Sequence, residues 1–241
     1  MALYREQDYR LRWLDFDRYG HIQPVTVLDL FQDAATLHAD ELGMGRNDMM
    51  ASGVFWVVVR SKYEVVREPT QFQMVRIRTW PRKPTSFSIP RDFTMCDEAG
   101  NLLIKATTEW VFVNAETRKF ARLKDHYRGP ADFCDDRAFD DKLRKVPAFD
   151  EGNRPVVEIA PAFSDIDLNG HVNNARYPHF VIDALNPTES YAVKTFQIDY
   201  RYEVLPDKPL AMHTLVEDGL VLSKGVREDG TVAFASAIEL A

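Results

Sequence analysis

Apolar residues change their period several times along the chain, and each change marks an element. Tyr9, Leu11 and Trp13 alternate with polar neighbours, as in a half-buried strand. A polar loop, Asp15 to His21, follows. After Pro24 the spacing becomes helical, with Leu28, Phe31, Ala35, His38 and Leu42 three or four apart, and Gly43 and Gly45 supply the stop. Val54 to Val66, Met74 to Trp80 and Phe87 to Met95 are rich in β-branched and aromatic residues and read as strands. Asp97 to Gly100 is a turn, after which Leu102, Ile104, Ala106, Thr108, Trp110 and Phe112 alternate. One long helix followed by antiparallel strands predicts an α+β unit in which a sheet wraps the helix.

Residues 126–155 break the pattern with Asp, Lys, Arg, Pro and Gly, and read as a linker with a short helix near Phe139 to Leu143. Residues 156–241 then repeat the plan of residues 1–125. Val156 to Phe163 reads as a strand, Ser164 to His171 as a loop, and Tyr177, Phe180, Val181, Ala184 and Leu185 as a helical face ending near Asn186-Pro187. Strands are expected at Val193 to Val204, Leu210 to Val216, Leu220 to Val226 and Val232 to Leu240, with hairpin turns at Asp218-Gly219 and Asp229-Gly230. Asp17-x-x-Gly20-His21 recurs as Asp167-x-x-Gly170-His171, 150 positions on (residue 21 to residue 171). Tyr63-Glu64-Val65 recurs as Tyr202-Glu203-Val204. Two matches in the same order predict an internal duplication.

Composition narrows the classes. With 45% hydrophobic and 28% charged residues the chain is an ordinary folded one, and its net charge of −7 argues against a nucleic-acid binder. Two cysteines, Cys96 and Cys134, make a disulfide framework improbable and fit a reducing cytoplasm. The start shows no apolar signal region, and no apolar run approaches the ~20 residues that span a bilayer, so a soluble, cytoplasmic chain is expected. There is no G-x-S-x-G elbow, no phosphate-cradling glycine loop and no metal-ligand spacing. Neither a cofactor nor a metal is therefore expected.

The richest polar segment is Asp165 to Asn174, which sets Asp167, Asn169, His171, Asn173 and Asn174 just ahead of a helix. A helix N-terminus offers unpaired N–H groups suited to a developing oxyanion, and a histidine there can hold or transfer a proton. An ordinary turn and N-cap would use the same residue types. The first copy keeps Asp17, Gly20 and His21 but has Tyr19 in place of Asn169, and Ile22-Gln23-Pro24 in place of Val172-Asn173-Asn174. The shared residues thus fit an inherited turn, whereas the amides belong to the second copy alone.

The run Ser164 to Tyr177 is similar to the D-x-D-x-N-x-H-V-N-N-x-x-Y stretch of plant and bacterial acyl-acyl-carrier-protein (acyl-ACP) thioesterases. Ile198 to Glu203 resembles that family's strand ending in a glutamate, and Trp13 to Ala34 its first domain. The resemblance implies a tandem (double) hotdog fold, an acyl-binding, non-catalytic N-terminal repeat and a catalytic C-terminal repeat. It also implies hydrolysis of fatty acyl-ACP thioesters to free fatty acid and holo-ACP. Asp167, Asn169 and His171 would be catalytic, with Glu203 facing them from the strand. Plant members carry a transit segment, whereas this sequence is expected to begin at the fold, like bacterial ones. Many plant members have a cysteine after the glutamate, where Val204 stands here, so a thiol nucleophile at that position is excluded. Two routes stay open: water activated by Glu203 or His171 with the oxyanion held near Asn173, or attack by Asp167 through an anhydride. An acyl-CoA thioesterase, a hotdog dehydratase and a non-catalytic acyl-binding module are the alternatives. Acyl carrier protein is acidic, and its landing face would be Arg76, Arg78, Arg82, Lys83 and Arg91, or Arg118, Lys119, Arg122 and Lys124. A homodimer is compatible with this reading.

Overall fold

The computed structural model describes residues 3–152, 154–206 and 208–241. Two compact units divide the chain: one holds Asp29–Leu143 with the N-terminal segment up to Trp13, the other Leu14–Leu28 and Arg144–Ala241. In the first unit, strands β1 (Arg5–Arg10), β2 (Val54–Val65), β3 (Met74–Pro81), β4 (Ser88–Asp97) and β5 (Leu102–Asn114) pair antiparallel in the order β1-β3-β4-β5-β2. A two-residue strand, β6 (Phe120–Ala121), pairs with the end of β5. Helix α1 (Pro24–Glu41) turns Leu28, Phe31, Ala35 and His38 inward as the spacing predicts, and Phe31 stacks on Phe93 of β4 at 5.0 Å.

That interior also holds charge. Arg91 of β4 is buried and donates from Nη1 to His38 Nδ1 and Thr79 Oγ1, each at 3.1 Å. Burial pushes the Arg91 guanidinium down to about 10.

The second unit carries β7 (Val156–Ile159), β8 (Val193–Tyr200), β9 (Leu210–Glu217), β10 (Leu220–Arg227) and β11 (Val232–Leu240), ordered β8-β11-β10-β9-β7. Asp218 and Gly219 both adopt positive φ (48° and 78°), the conformation a two-residue hairpin between β9 and β10 requires. Two short helices, α2 (Arg46–Ala51) and α3 (Leu123–His126), precede α4 (Tyr177–Leu185), whose buried Tyr177, Phe180 and Val181 face the core of this unit. Gly225 of β10 is required by close approach, since a Cβ there would lie 2.4 Å from the Phe234 ring. Phe234 in turn meets the Tyr177 ring edge-on at 5.0 Å.

The expected helix near Phe139 to Leu143 is absent. Side chains of the first sheet capture the backbone around it: Ala138 N donates to Asp92 Oδ2 (3.1 Å), Trp80 Nε1 to Asp136 O (2.9 Å) and Arg60 Nη1 to Leu143 O (3.2 Å). Lys62 and Lys105 lie over the Phe139 ring. The same device recurs in the second unit, where buried Asp199 accepts Val146 N at 2.9 Å. The interdomain segment is therefore an irregular strap fastened by side chains. Among the described residues no helix is long and apolar enough to cross a membrane.

Candidate active site

Asp167 begins a tight turn. Its N–H donates to His171 O at 2.9 Å, and Gly170 N donates to Asp167 O at 3.0 Å, with Gly170 at φ 77°. Asp167 Oδ1 accepts Asn169 N at 2.8 Å, and Oδ2 accepts Asn169 Nδ2 at 3.2 Å. One carboxylate thus closes the turn and orients the carboxamide, with both oxygens engaged. The turn hands the chain to Val172, which bridges back to Ile166, and presents His171 at its exit.

Glu203 arrives from elsewhere. The expected strand to Val204 stops at Tyr200, so Glu203 lies beyond the end of β8 and not on it. The chain leaves the sheet because its backbone bonds to the motif segment instead. Val204 accepts Val172 N through its carbonyl (3.2 Å) and donates its own N–H to Tyr177 Oη (3.2 Å). With Val204 fixed between Val172 and Tyr177, the preceding residue falls beside His171. Glu203 Oε2 lies 3.2 Å from His171 Nε2, the two side chains 45% and 31% exposed. Val204 is buried, a packing position in this chain.

The amides around Asn173 are largely committed. Val172 N bonds Val204 O, Asn173 N bonds Asp165 O, Ala175 N bonds Asn173 Oδ1, and Arg176 N bonds Asn173 O. Asn173 is thus the N-cap of the turn leading into α4. Asn174 N alone among these five has no acceptor in the described residues, while Asn174 O accepts Tyr200 Oη at 3.0 Å. Sequence reasoning passed over the hydroxyls of Tyr177 and Tyr200 as positioning groups. Tyr177 read as one apolar residue on a helical face, and only its place in the motif signalled more. Burial raises the Tyr177 phenol far above its ordinary value, and the carboxylates of Glu203 and Asp167 add to the effect.

The first copy forms the same turn with different partners. Asp17 N donates to His21 O at 2.8 Å, and Asp17 Oδ1 accepts Tyr19 N and His21 N at 2.8 and 3.0 Å. His21 Nε2 lies 3.1 Å from Ser190 Oγ, and Tyr19 Oη donates to Pro187 O. The second sequence match is not a structural one: Tyr63-Glu64-Val65 ends strand β2, with Tyr63 buried and Glu64 paired to Lys105 Nζ at 3.2 Å. Tyr202, its counterpart, is exposed in a loop. The cysteine thiols take no part in these bonds: burial raises Cys96 on β4 and Cys134 on the strap, where Cys134 donates to Asp136 Oδ2 at 3.3 Å.

Comparison with known proteins covers nearly the whole chain. Residues 2–131 match the acyl-ACP thioesterase N-terminal domain, and residues 150–238 the acyl-ACP thioesterase C-terminal domain. A chloroplastic acyl-acyl-carrier-protein hydrolase of Cuphea viscosissima is 28% identical over 215 residues, covering 83% of this chain and 52% of that protein. A chloroplastic oleoyl-acyl carrier protein thioesterase of Arabidopsis thaliana is 28% identical over 201 residues, covering 76% and 54%. The chain spans about half the length of the curated relatives it matches. Among solved structures, the 12:0-ACP thioesterase from Umbellularia californica superposes with a TM-score of 0.90 at 25% identity, covering 100% of this chain and 98% of that one. An acyl-ACP thioesterase from Bacteroides thetaiotaomicron also gives 0.90, at 22% identity, covering 99% and 98%, which establishes the shared hotdog fold.

Proposed function

The chain belongs to the acyl-ACP thioesterase family, and from that premise we propose that it hydrolyses fatty acyl-ACP thioesters at the loop carrying Asp167, Asn169 and His171, with Glu203. The observation that carries the reading is the 3.2 Å pair between His171 Nε2 and Glu203 Oε2 beside the turn into α4. The imidazole nitrogen and the carboxylate are both proton acceptors, so the pair can take a proton from water as the oxygen attacks the thioester carbonyl carbon. The carbonyl π pair moves onto oxygen, and the Asn174 N–H is the donor best suited to receive that oxyanion. Collapse breaks the C–S bond, and the departing thiolate takes the proton held by the pair. The products are a free fatty acid and holo-ACP.

Asp167 is cast as a positioning group. Attack by either oxygen of its carboxylate would weaken a hydrogen bond, from Asn169 N at Oδ1 or from Asn169 Nδ2 at Oδ2, which supports the water route over an anhydride. Asn169, oriented by that carboxylate, serves to hold the water or the thioester. The first repeat, residues 1–125, is assigned the acyl chain without chemistry of its own. The engagement of His21, the counterpart of His171, by Ser190 supports that division. A cytoplasmic setting goes with this reading.

Pure protein incubated with a panel of acyl-ACP and acyl-CoA thioesters, with free thiol measured, tests the proposal. Release of thiol from acyl-ACP is expected. Cleavage of acyl-CoA alone would refute the substrate, and no release from either would refute hydrolysis.

A further inference from the structure

Two basic clusters stand out in the sequence, and the structure treats them differently. Arg76 is held bidentately by Asp8 (2.7 and 3.1 Å), Arg78 by Asp136 (3.4 Å) and Arg82 by Asp92 (3.7 Å), while Arg91 is interior. The arginines of the first expected landing face are therefore internally paired or buried, holding β1, β4 and the strap, and Lys83 alone of that set is exposed without an ion pair among the described residues.

The second cluster sits on the hairpin between β5 and β6 and at the start of α3. Asn114 Oδ1 accepts Glu116 N (3.1 Å) and Thr117 N (2.8 Å), and Arg118 N closes onto Asn114 O (3.0 Å) with φ 57°. Behind the hairpin, Leu123 is buried against Met44, Met49, Val54, Ile89 and Phe112, which makes the projection rigid. Lys119, Arg122 and Lys124 are exposed and form no ion pair among the described residues. Phe120 is 68% exposed, and Phe87 is 52% exposed on the adjoining loop, tied in by Leu123 N to Ser86 O. Residues 116–128 hold five basic and two acidic side chains, in a chain of net charge −7. Rigidly held, unneutralised cations flanked by exposed aromatics on an acidic protein are the features of a steering and docking face.

We propose that this hairpin, through Lys119, Arg122, Lys124 and Phe120, is where the acidic carrier protein docks. The inference rests on the thioesterase reading above. A carrier protein offers an extended acidic surface with apolar side chains, which exposed cations beside an exposed phenylalanine complement. Coenzyme A, an anion without that apolar surface, is the ligand from which the test distinguishes it.

The test uses the full chain and its triple variant Lys119→Glu, Arg122→Glu, Lys124→Glu. Binding of fluorescently labelled holo-acyl carrier protein is followed by anisotropy at about 50 and 300 mM salt. Wild type is expected to bind and to weaken with salt, and the triple variant to bind at least about tenfold more weakly with little salt dependence. In turnover assays KM for acyl-ACP should rise by a similar factor with kcat unchanged, and acyl-CoA kinetics should not move. Phe120→Ser alone should weaken carrier binding without altering its salt dependence. Equal carrier binding by wild type and triple variant overturns the proposal, and so does an equal loss on acyl-CoA. Carrier binding that requires the hairpin but brings no turnover supports the docking face and sinks the hydrolase reading. Turnover of acyl-ACP with the triple variant unaffected does the reverse.

Discussion

Replacing Tyr177 with Phe removes one oxygen and tests how the site is assembled. Tyr177 Oη accepts the Val204 N–H at 3.2 Å, and Val204 is 1% exposed, so water cannot replace the lost acceptor. The ring keeps its packing on Phe234 and Tyr200, at 5.0 and 5.2 Å, and no cavity opens. The phenol is held neutral by burial, so the substitution removes an acceptor and no charge. Leaving a buried N–H unpaired costs about 1–3 kcal/mol. At about 2–4 °C per kcal/mol for a chain of this size, Tm should fall by roughly 2–12 °C. Val204 is also the anchor that sets Glu203 against His171. A shift of that anchor should lower kcat by on the order of 10-fold, with KM nearly unchanged, since the group lost touches no substrate. Thermal unfolding and free-thiol release on acyl-ACP give the two readouts. An unchanged Tm would refute the hydrogen bond as a structural element. A lowered Tm with wild-type kcat would refute Val204 as the anchor of the catalytic pair.

His171→Ala and Glu203→Ala should each lower turnover by at least about 100-fold, whereas His21→Ala should cost far less; equal losses at His21 and His171 would overturn the assignment of the site. Cys96→Ser with Cys134→Ser should leave turnover within a few-fold of wild type, because burial keeps both thiols protonated; stoichiometric inactivation tracking alkylation of one thiol would restore a cysteine mechanism. Burial raises the Asp92 carboxyl and outweighs the attraction of Arg82, so its contribution to stability is greatest below the ordinary carboxylate range and is lost as pH rises through the raised value. Asp92→Asn keeps an acceptor for Ala138 N and should be stabilising at pH 7, with an advantage that shrinks as pH falls toward about 4; a Tm difference independent of pH would sink that account.

Period carried most of the fold. The inward set Leu28, Phe31, Ala35 and His38 of α1 was legible because those positions are buried together, and β5 because its β-branched and aromatic residues mark a strand, although it buries residues on both faces. The strap was not, since Asp92, Trp80 and Arg60 hold it through side-chain bonds to irregular backbone, which leave no period. The short helix α2 was hidden by reading Gly43 and Gly45 as a stop, although Gly45 N donates to Asp48 Oδ2 and opens a new turn. At the site, the Asp-x-x-Gly-His turn was readable because it is local. Glu203 came into view through family resemblance alone, and its exit from the strand depends on the backbone of Val204, which has no sequence signature. The two basic clusters looked alike as letters, and only the carboxylates across the sheet and strap tell them apart.

The locality of the Asp167 turn has a kinetic consequence. A turn closed by bonds between residues four apart forms early, because little chain entropy opposes it, and it presents His171 before the sheet exists. Glu203 reaches that histidine only after β8, β11 and α4 have met and Val204 has found Tyr177, contacts that join distant parts of the sequence and form late. During refolding from denaturant, secondary structure and tyrosine fluorescence should therefore recover ahead of thioester hydrolysis, and the return of turnover marks the moment the last long-range contacts close.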